Sequence, residues 1–263
     1  MLLIQTLLVA GLAAPSGAQP APPAPSSLQD EIVDRRPELK ELLEELDDHM
    51  GARGEEDREA IAIIDLLVKT EWERSGPKDR KSILKTLGSA FKEKRKATPE
   101  GAPNNILYLA SAKALGLMGP ESAKEIMSWI DHKSHRSDLM VQRELILALG
   151  KTRDEKGADE LMGQLLNKYP ELVAAAAESL ANYDTADEKL RKEIFKEINK
   201  ILGAAKVNVD QDPNDTIARE RYDLIEASMI TTLQAMTRQK LRTPEDWTSW
   251  WNDNKKKDWD EDL

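Results

Sequence analysis

A tripeptide that returns at a near-constant interval limits the possible folds of this chain more than any other feature. Ala114-Leu115-Gly116 recurs 34 residues later as Ala148-Leu149-Gly150, and weaker copies lie at 86–88 and 179–181. The segments that follow also align at an offset of 35: Ala123 with Ala158, Ile126 with Leu161, and Met127 with Met162. An interval of roughly 31–35 residues predicts stacked helical hairpins, because one hairpin cannot bury its apolar face alone.

The rest of the chain supports an all-α interpretation. From residue 28 onward, apolar residues recur at spacings of three and four, with almost no alternating strand pattern. One such set is Leu39, Leu42, Leu43, Leu46 and Met50, and another is Leu190, Ile194, Ile198 and Leu202. Pro and Gly separate these sets at positions typical of helix starts. We expect about eleven helices joined by short turns.

The repeated unit resembles the short HEAT-like repeat of bacterial proteins, which has the same Ala-Leu-Gly turn followed by Ala-x-x-Leu/Ile. The resemblance extends over residues 55–240 and is best at 104–181. It implies an all-α fold, a right-handed α–α superhelix, which is a HEAT/armadillo-like solenoid of stacked helical hairpins. It says little about function, because one fold serves many activities.

The end of the chain resembles the closing segment of exported bacterial HEAT-repeat proteins. There a Leu-containing helix leads into Thr-x-Gln, a short loop, and a helix with Trp-x-x-Trp-Trp. The matching positions are Leu233, Thr237, Gln239, Trp247, Trp250 and Trp251. Arg238 departs from the pattern, since a Gly usually lies between the Thr and the Gln. The resemblance implies a Trp-rich cap on the repeat array and brings no catalytic residue.

The N-terminus is typical of a secretory signal peptide. MLLIQTLLVAGLAA has no charged side chain, and Ser16 and Ala18 occupy the −3 and −1 positions of a cut before Gln19. An uncleaved anchor is the alternative, although the apolar run is shorter than the ~20 residues that span a bilayer. We expect no transmembrane segment in the mature chain.

These features predict three segments. They are a signal peptide at 1–18, a Pro-rich linker at 19–27, and a HEAT-like repeat domain at 28–263 with an N-terminal helix and a Trp-rich C-terminal helix. The protein is therefore predicted to be exported, and to reside in the periplasm or outside the cell.

Composition and motifs exclude several classes of function. The absence of Cys excludes disulfide scaffolds, thiol catalysis and Cys-ligated metal, and a net charge of −10 argues against nucleic-acid binding. The chain has no GxSxG nucleophile motif, no GxGxxG and no phosphate-binding loop. We expect that the protein is not an enzyme and that it binds no cofactor. An active site assembled across repeats remains a third possibility.

Charge is segregated along the chain in a way that suggests a docking patch. Residues 28–60 carry 13 acidic and 5 basic side chains, whereas the predicted basic helix 78–96 carries 8 basic and 2 acidic ones. Ordinary solvation of successive helices is the plainer explanation. The sharper hypothesis is a docking patch for an acidic partner or an anionic surface. The candidate partner-binding residues on this helix and on the Trp helix are Lys85, Lys92, Lys94, Arg95, Lys96, Trp247, Trp250 and Trp251.

The sequence therefore predicts a non-enzymatic protein–protein interaction scaffold of the periplasm or cell envelope. The alternative is a carbohydrate- or metal-binding module that uses the C-terminal Trp helix or the His132–Asp138 cluster. In that cluster His132 and His135 have His-x-x-His spacing, which could bring two imidazoles to one metal. The segment Asp210–Asp215 imitates the start of a calcium loop, but Asp215 stands where that loop needs Gly.

Overall fold

The computed structural model describes residues 34–260, and this part of the chain is all-helical. The predicted signal peptide and Pro-rich linker lie outside the described residues. The α-helices are α1 (Pro37–Gly51), α2 (Asp57–Leu66), α3 (Trp72–Arg74), α4 (Pro77–Ser89), α5 (Ile106–Leu117), α6 (Ala123–Met127), α7 (Leu139–Thr152), α8 (Glu155–Gln164), α9 (Pro170–Leu180), α10 (Glu188–Gln211), α11 (Thr216–Thr237) and α12 (Pro244–Asn254). A π-helical turn, Leu67–Glu71, joins α2 to α3.

Helix starts are set by local chemistry that is visible in the sequence. An Asp or Thr side chain accepts a hydrogen bond from the first exposed backbone N–H groups of five helices, which would otherwise lack a partner. These capping residues are Asp138, Asp154, Asp187, Asp215 and Thr243. Pro occupies the first turn of four helices, where no intrahelical N–H bond is lost. These are Pro37, Pro77, Pro170 and Pro244.

Neighbouring helices pack in two rows. Helices α2, α5, α7, α9 and α11 follow one another side by side, and α1, α4, α6 and α8 form a second succession. Helices α7, α9 and α11 also contact the helix that precedes them in the chain. The core runs between the rows as one cluster of buried Leu, Ile, Ala and aromatic side chains.

The repeated Gly lies where neighbouring helices of the first row approach most closely. A Cβ on Gly116 would lie 2.9 Å from Cα of Ala148, and one on Gly150 would lie 2.7 Å from Cα of Ser179. The Ser179 hydroxyl donates to the carbonyl oxygen of Ile146 at 3.0 Å across the same contact. The small residues of the repeated tripeptide therefore bring one helix backbone against the next.

Two local expectations need correction. The predicted helix over 78–96 ends early, since α4 passes into a 3₁₀ turn, Ala90–Lys92, and Glu93 is extended. At the C-terminus the tight turn forms even with Arg238 in place of Gly. Arg238 adopts a left-handed conformation with φ of 59°, and its N–H donates to the carbonyl oxygen of Gln234 at 2.7 Å.

Candidate interaction surface

An exposed apolar groove lies between α2 and α5. Its volume is about 440 Å³, and its apolar lining includes Ile61, Val68, Leu109 and Leu117. Leu117 is 64% exposed. Helix α5 reads ILYLASAKALGL, which is apolar on more sides than a single buried face requires. The surplus apolar residues point into the groove, and contiguous exposed apolar surface of this kind marks sites of interaction.

One wall of the groove is formed by α2 together with the π-helical turn that follows it. Val68 and Lys69 lie in this turn and line the groove. A π-helical turn interrupts the regular hydrogen-bond ladder, is rare, and frequently occurs at functional sites. The groove is thus formed by an irregular segment, which is a second reason to regard it as the candidate site.

Charged side chains stand at the rim of this groove. Lys69 of the π-helical turn pairs with Asp65 of α2 at 2.9 Å. Lys113 of α5 is exposed on the opposite wall. The apolar character also continues along the first row, because Met140 of α7, which is 61% exposed, occupies the repeat position of Ile106, 34 residues earlier.

The predicted basic docking residues divide into exposed and enclosed groups. Lys85, Lys92 and Lys94 are exposed. Lys96 is also exposed but pairs with Glu55 at 2.5 Å. Arg95 is enclosed, with a side chain only 2% exposed, so its guanidinium offers no surface to a partner.

Arg95 instead fastens the segment after α4 to the α1–α2 turn. Its Nε lies 3.2 Å from Asp57 Oδ1, and its Nη1 donates to the carbonyl oxygen of Met50 at 2.6 Å. Asn104 donates to the other carboxylate oxygen of Asp57 at 3.1 Å. In the sequence Arg95 is indistinguishable from the exposed lysines around it, because its partners Met50 and Asp57 lie far away along the chain and leave no local signal.

The predicted Trp helix is α12, and its three indoles pack against one ring of α10, that of Phe195. Trp247 is fully buried, and Trp251 stacks on Phe195 with centroids 5.1 Å apart. Trp250 lies 5.3 Å from the same ring. Trp259 of the acidic tail also packs there, with its ring centroid 5.6 Å from that of Phe195. The arrangement matches a cap, and Trp247 has no surface left for a sugar or a partner.

The last residues are held to α10 by charged groups. Arg191 is a buried residue that donates to the carbonyl oxygens of Ala186 and Met236 and pairs with Asp260. Glu188 accepts from the Lys192 ammonium at 2.6 Å and from the backbone N–H of Trp259 at 2.8 Å. These two bonds, that of Lys192 first, hold the pKa of Glu188 below its usual value.

The His132–Asp138 cluster is part of an aromatic core. His135 is a buried residue whose Nε2 lies 2.7 Å from the carbonyl oxygen of Phe91, so this nitrogen must carry the proton and donate. His132 packs edge-on against Trp129. Asp138 caps α7 by accepting from Val141 N–H at 3.1 Å. Within residues 34–260, no group of three or more His, Asp or Glu is arranged to hold a metal ion.

The calcium-like segment has a structural role as well. Asp215 accepts from the N–H groups of Ile217 and Ala218 and so begins α11. Asp210 receives the Lys206 ammonium at 2.6 Å, and Asp212 accepts from Asn214 N–H at 3.0 Å. The carboxylates therefore stabilise the turn between α10 and α11.

Comparison with protein families, with curated proteins and with solved structures found no match to this chain. Across the described residues, no helix combines the length and the apolarity needed to cross a bilayer.

Proposed function

We propose that the protein is a non-enzymatic protein–protein interaction scaffold, exported to the periplasm or cell envelope and built as a right-handed superhelix of HEAT-like hairpins. The superhelix is supported by the recurrence of one contact: Gly116 meets Ala148, and one unit later Gly150 meets Ser179. Equivalent contacts at a fixed interval apply the same small rotation between successive units, which is how solenoids acquire curvature.

The observation that carries the proposed function is the apolar groove between α2 and α5. Two of its lining residues, Ile106 and Leu117, are 50% and 64% exposed. Other residues of the same helix, α5, already form its buried face. Burying apolar surface contributes about 25 cal/mol per Å². A protein segment with an apolar stripe would remove these side chains from water, as in helix-in-groove recognition.

Site-specific photocrosslinking in the native cell tests this proposal. A photoreactive side chain at Leu117 should give discrete crosslinked proteins. The matched control is Leu224, a Leu 43% exposed on α11, away from the groove. Leu117→Lys in a chain labelled at Ile106 should abolish the crosslinked products, whereas Leu224→Lys should leave them. Identical products from both labelled positions, or none from Leu117, would contradict the proposal.

A further inference from the structure

Four lysines form a line along the outward side of α4. Lys78, Lys81 and Lys85 lie in the helix, and Lys92 lies in the 3₁₀ turn that extends it. Offsets of three and seven residues place Lys78, Lys81 and Lys85 within about 60° of one another on a helix of 3.6 residues per turn, and Lys92 follows them in the 3₁₀ turn. All four are exposed. The line is about 20 Å long. We call these four residues the lysine stripe.

The lysine stripe points away from the core. Ile83 and Leu87, on the opposite side of α4, are completely buried. Within residues 34–260, the lysines that form ion pairs are Lys40, Lys69, Lys96, Lys192, Lys196, Lys200 and Lys206. The stripe therefore carries four positive charges that no carboxylate of the described residues neutralises through an ion pair.

The acidic residues beside the stripe are occupied by other groups. Asp47 of α1 accepts from the Ser89 hydroxyl at 3.4 Å and also interacts electrostatically with Lys85, although the two form no ion pair. Glu121 pairs with Arg80 at 2.8 Å, and Glu125 accepts from the Trp129 indole at 3.1 Å. These carboxylates lower the local potential, but none of the three forms an ion pair with a stripe lysine.

The geometry points to an anionic lipid surface as the partner of the lysine stripe, and we infer that the protein docks on such membranes through α4. Arginine forks select specific carboxylates or phosphates by paired hydrogen bonds, but the two arginines within residues 78–96 are engaged, Arg80 with Glu121 and Arg95 with Asp57. Lysines are point charges on flexible stems, and a straight exposed line of them suits a diffuse, planar field of negative charge.

The overall charge makes this contact directional. The chain has a net charge of −10, so most other faces are repelled by an anionic surface. Binding through α4 would thus hold the molecule in one orientation. The groove of the first row, which the proposed function uses, does not involve these lysines and remains a separate surface.

Vesicle sedimentation of the full chain tests the inference. Vesicles of phosphatidylcholine alone measure any contribution of the apolar N-terminus, and vesicles of phosphatidylcholine and phosphatidylglycerol in equal parts add the negative charge. We expect tighter binding to the charged vesicles, weakening as salt rises to ~0.15 M. Each lysine near such a surface contributes about fivefold, so changing all four to Gln should weaken binding by about a hundredfold or more.

The matched control changes four exposed lysines scattered over other elements to Gln: Lys133, Lys156, Lys240 and Lys256. Both variants take the net charge from −10 to −14, since each loses four positive charges. Equal loss in the two variants, or no preference of the wild-type chain for charged vesicles, would overturn the inference. Stripe-dependent binding to polyglutamate without binding to charged vesicles would also overturn it, in favour of an acidic protein.

Discussion

Replacement of Gly150 by Ala tests the close approach of α7 to α9. The added Cβ would lie 2.5 Å from Ser179 Cβ, 2.7 Å from its Cα and 2.8 Å from its carbonyl oxygen. Unstrained carbon atoms lie about 3.5–4.0 Å apart, so the two backbones must separate by about 1 Å. Overpacking of this kind costs about 1–3 kcal/mol. The separation also stretches the Ser179–Ile146 hydrogen bond, worth about 1 kcal/mol.

Helix propensity acts in the opposite direction, because Ala is favoured over Gly by about 1 kcal/mol in a helix interior. The expected net loss for Gly150→Ala is about 2 kcal/mol in the free energy of unfolding. For a domain of this size, that loss lowers Tm by about 4–8 °C. Thermal unfolding followed by far-UV circular dichroism measures it directly.

Gly203→Ala is the matched control, because Gly203 lies inside α10 and an added Cβ would meet nothing within 4 Å beyond the adjoining backbone of its own helix. This variant should gain about 0.5–1 kcal/mol. Ser179→Gly should not rescue Gly150→Ala, because the Cα and carbonyl oxygen of residue 179 remain in the way. A Gly150→Ala protein that melts at or above the wild-type temperature would refute the packing argument.

Three further predictions concern the clusters described above. Phe195→Ala removes the ring that four indoles surround and should cost about 3–5 kcal/mol, with loss of the near-UV circular dichroism of Trp; an unchanged spectrum would contradict the cap. Arg95→Met leaves Asp57 buried without its partner and should cost about 3–5 kcal/mol in urea unfolding, whereas adding Asp57→Leu should recover much of it; equal single and double variants would argue against the pair. The hydrogen bond with Glu56 raises the pKa of His49. The stabilisation of the folded state by protonated His49 is therefore complete below the unfolded pKa of about 6.5 and is lost as pH rises through the folded pKa. The Tm difference between wild type and His49→Gln should therefore shrink between about pH 5.5 and about pH 8.5, and a constant difference would exclude this linkage.

The helices and their packing faces follow largely from local patterns. Leu39, Leu43, Leu46 and Met50 are spaced as one face of a helix, and all four are buried on α1. The recurrence of Ala-Leu-Gly located the close contacts between neighbouring helices, because only small residues allow two backbones to meet. Helical periodicity and repeat spacing are properties of the sequence itself, so they are accessible without the structure.

The candidate site was harder than the fold to predict from the sequence, for physical reasons. The groove depends on which apolar residues of α5 remain after the core is filled, and this is decided by α2 and α7 rather than by α5 itself. The π-helical turn has the sequence LVKTE, which has no compositional mark. The basic segment reads as one continuous run, yet α4 ends within it, and distant partners draw Arg95 inward while Lys92 stays exposed.

The clustering of indoles around Phe195 makes the two ends of the molecule optically distinct. Four of the six Trp surround that ring, while Trp72 and Trp129 lie among the helices that precede α7. Tryptophan emission is therefore dominated by the C-terminal end, whereas far-UV circular dichroism averages over every helix. Because each helix of the row packs mainly against its neighbours, the N-terminal and C-terminal ends of the row can unfold independently. A gap between the two unfolding curves would reveal which end loosens first.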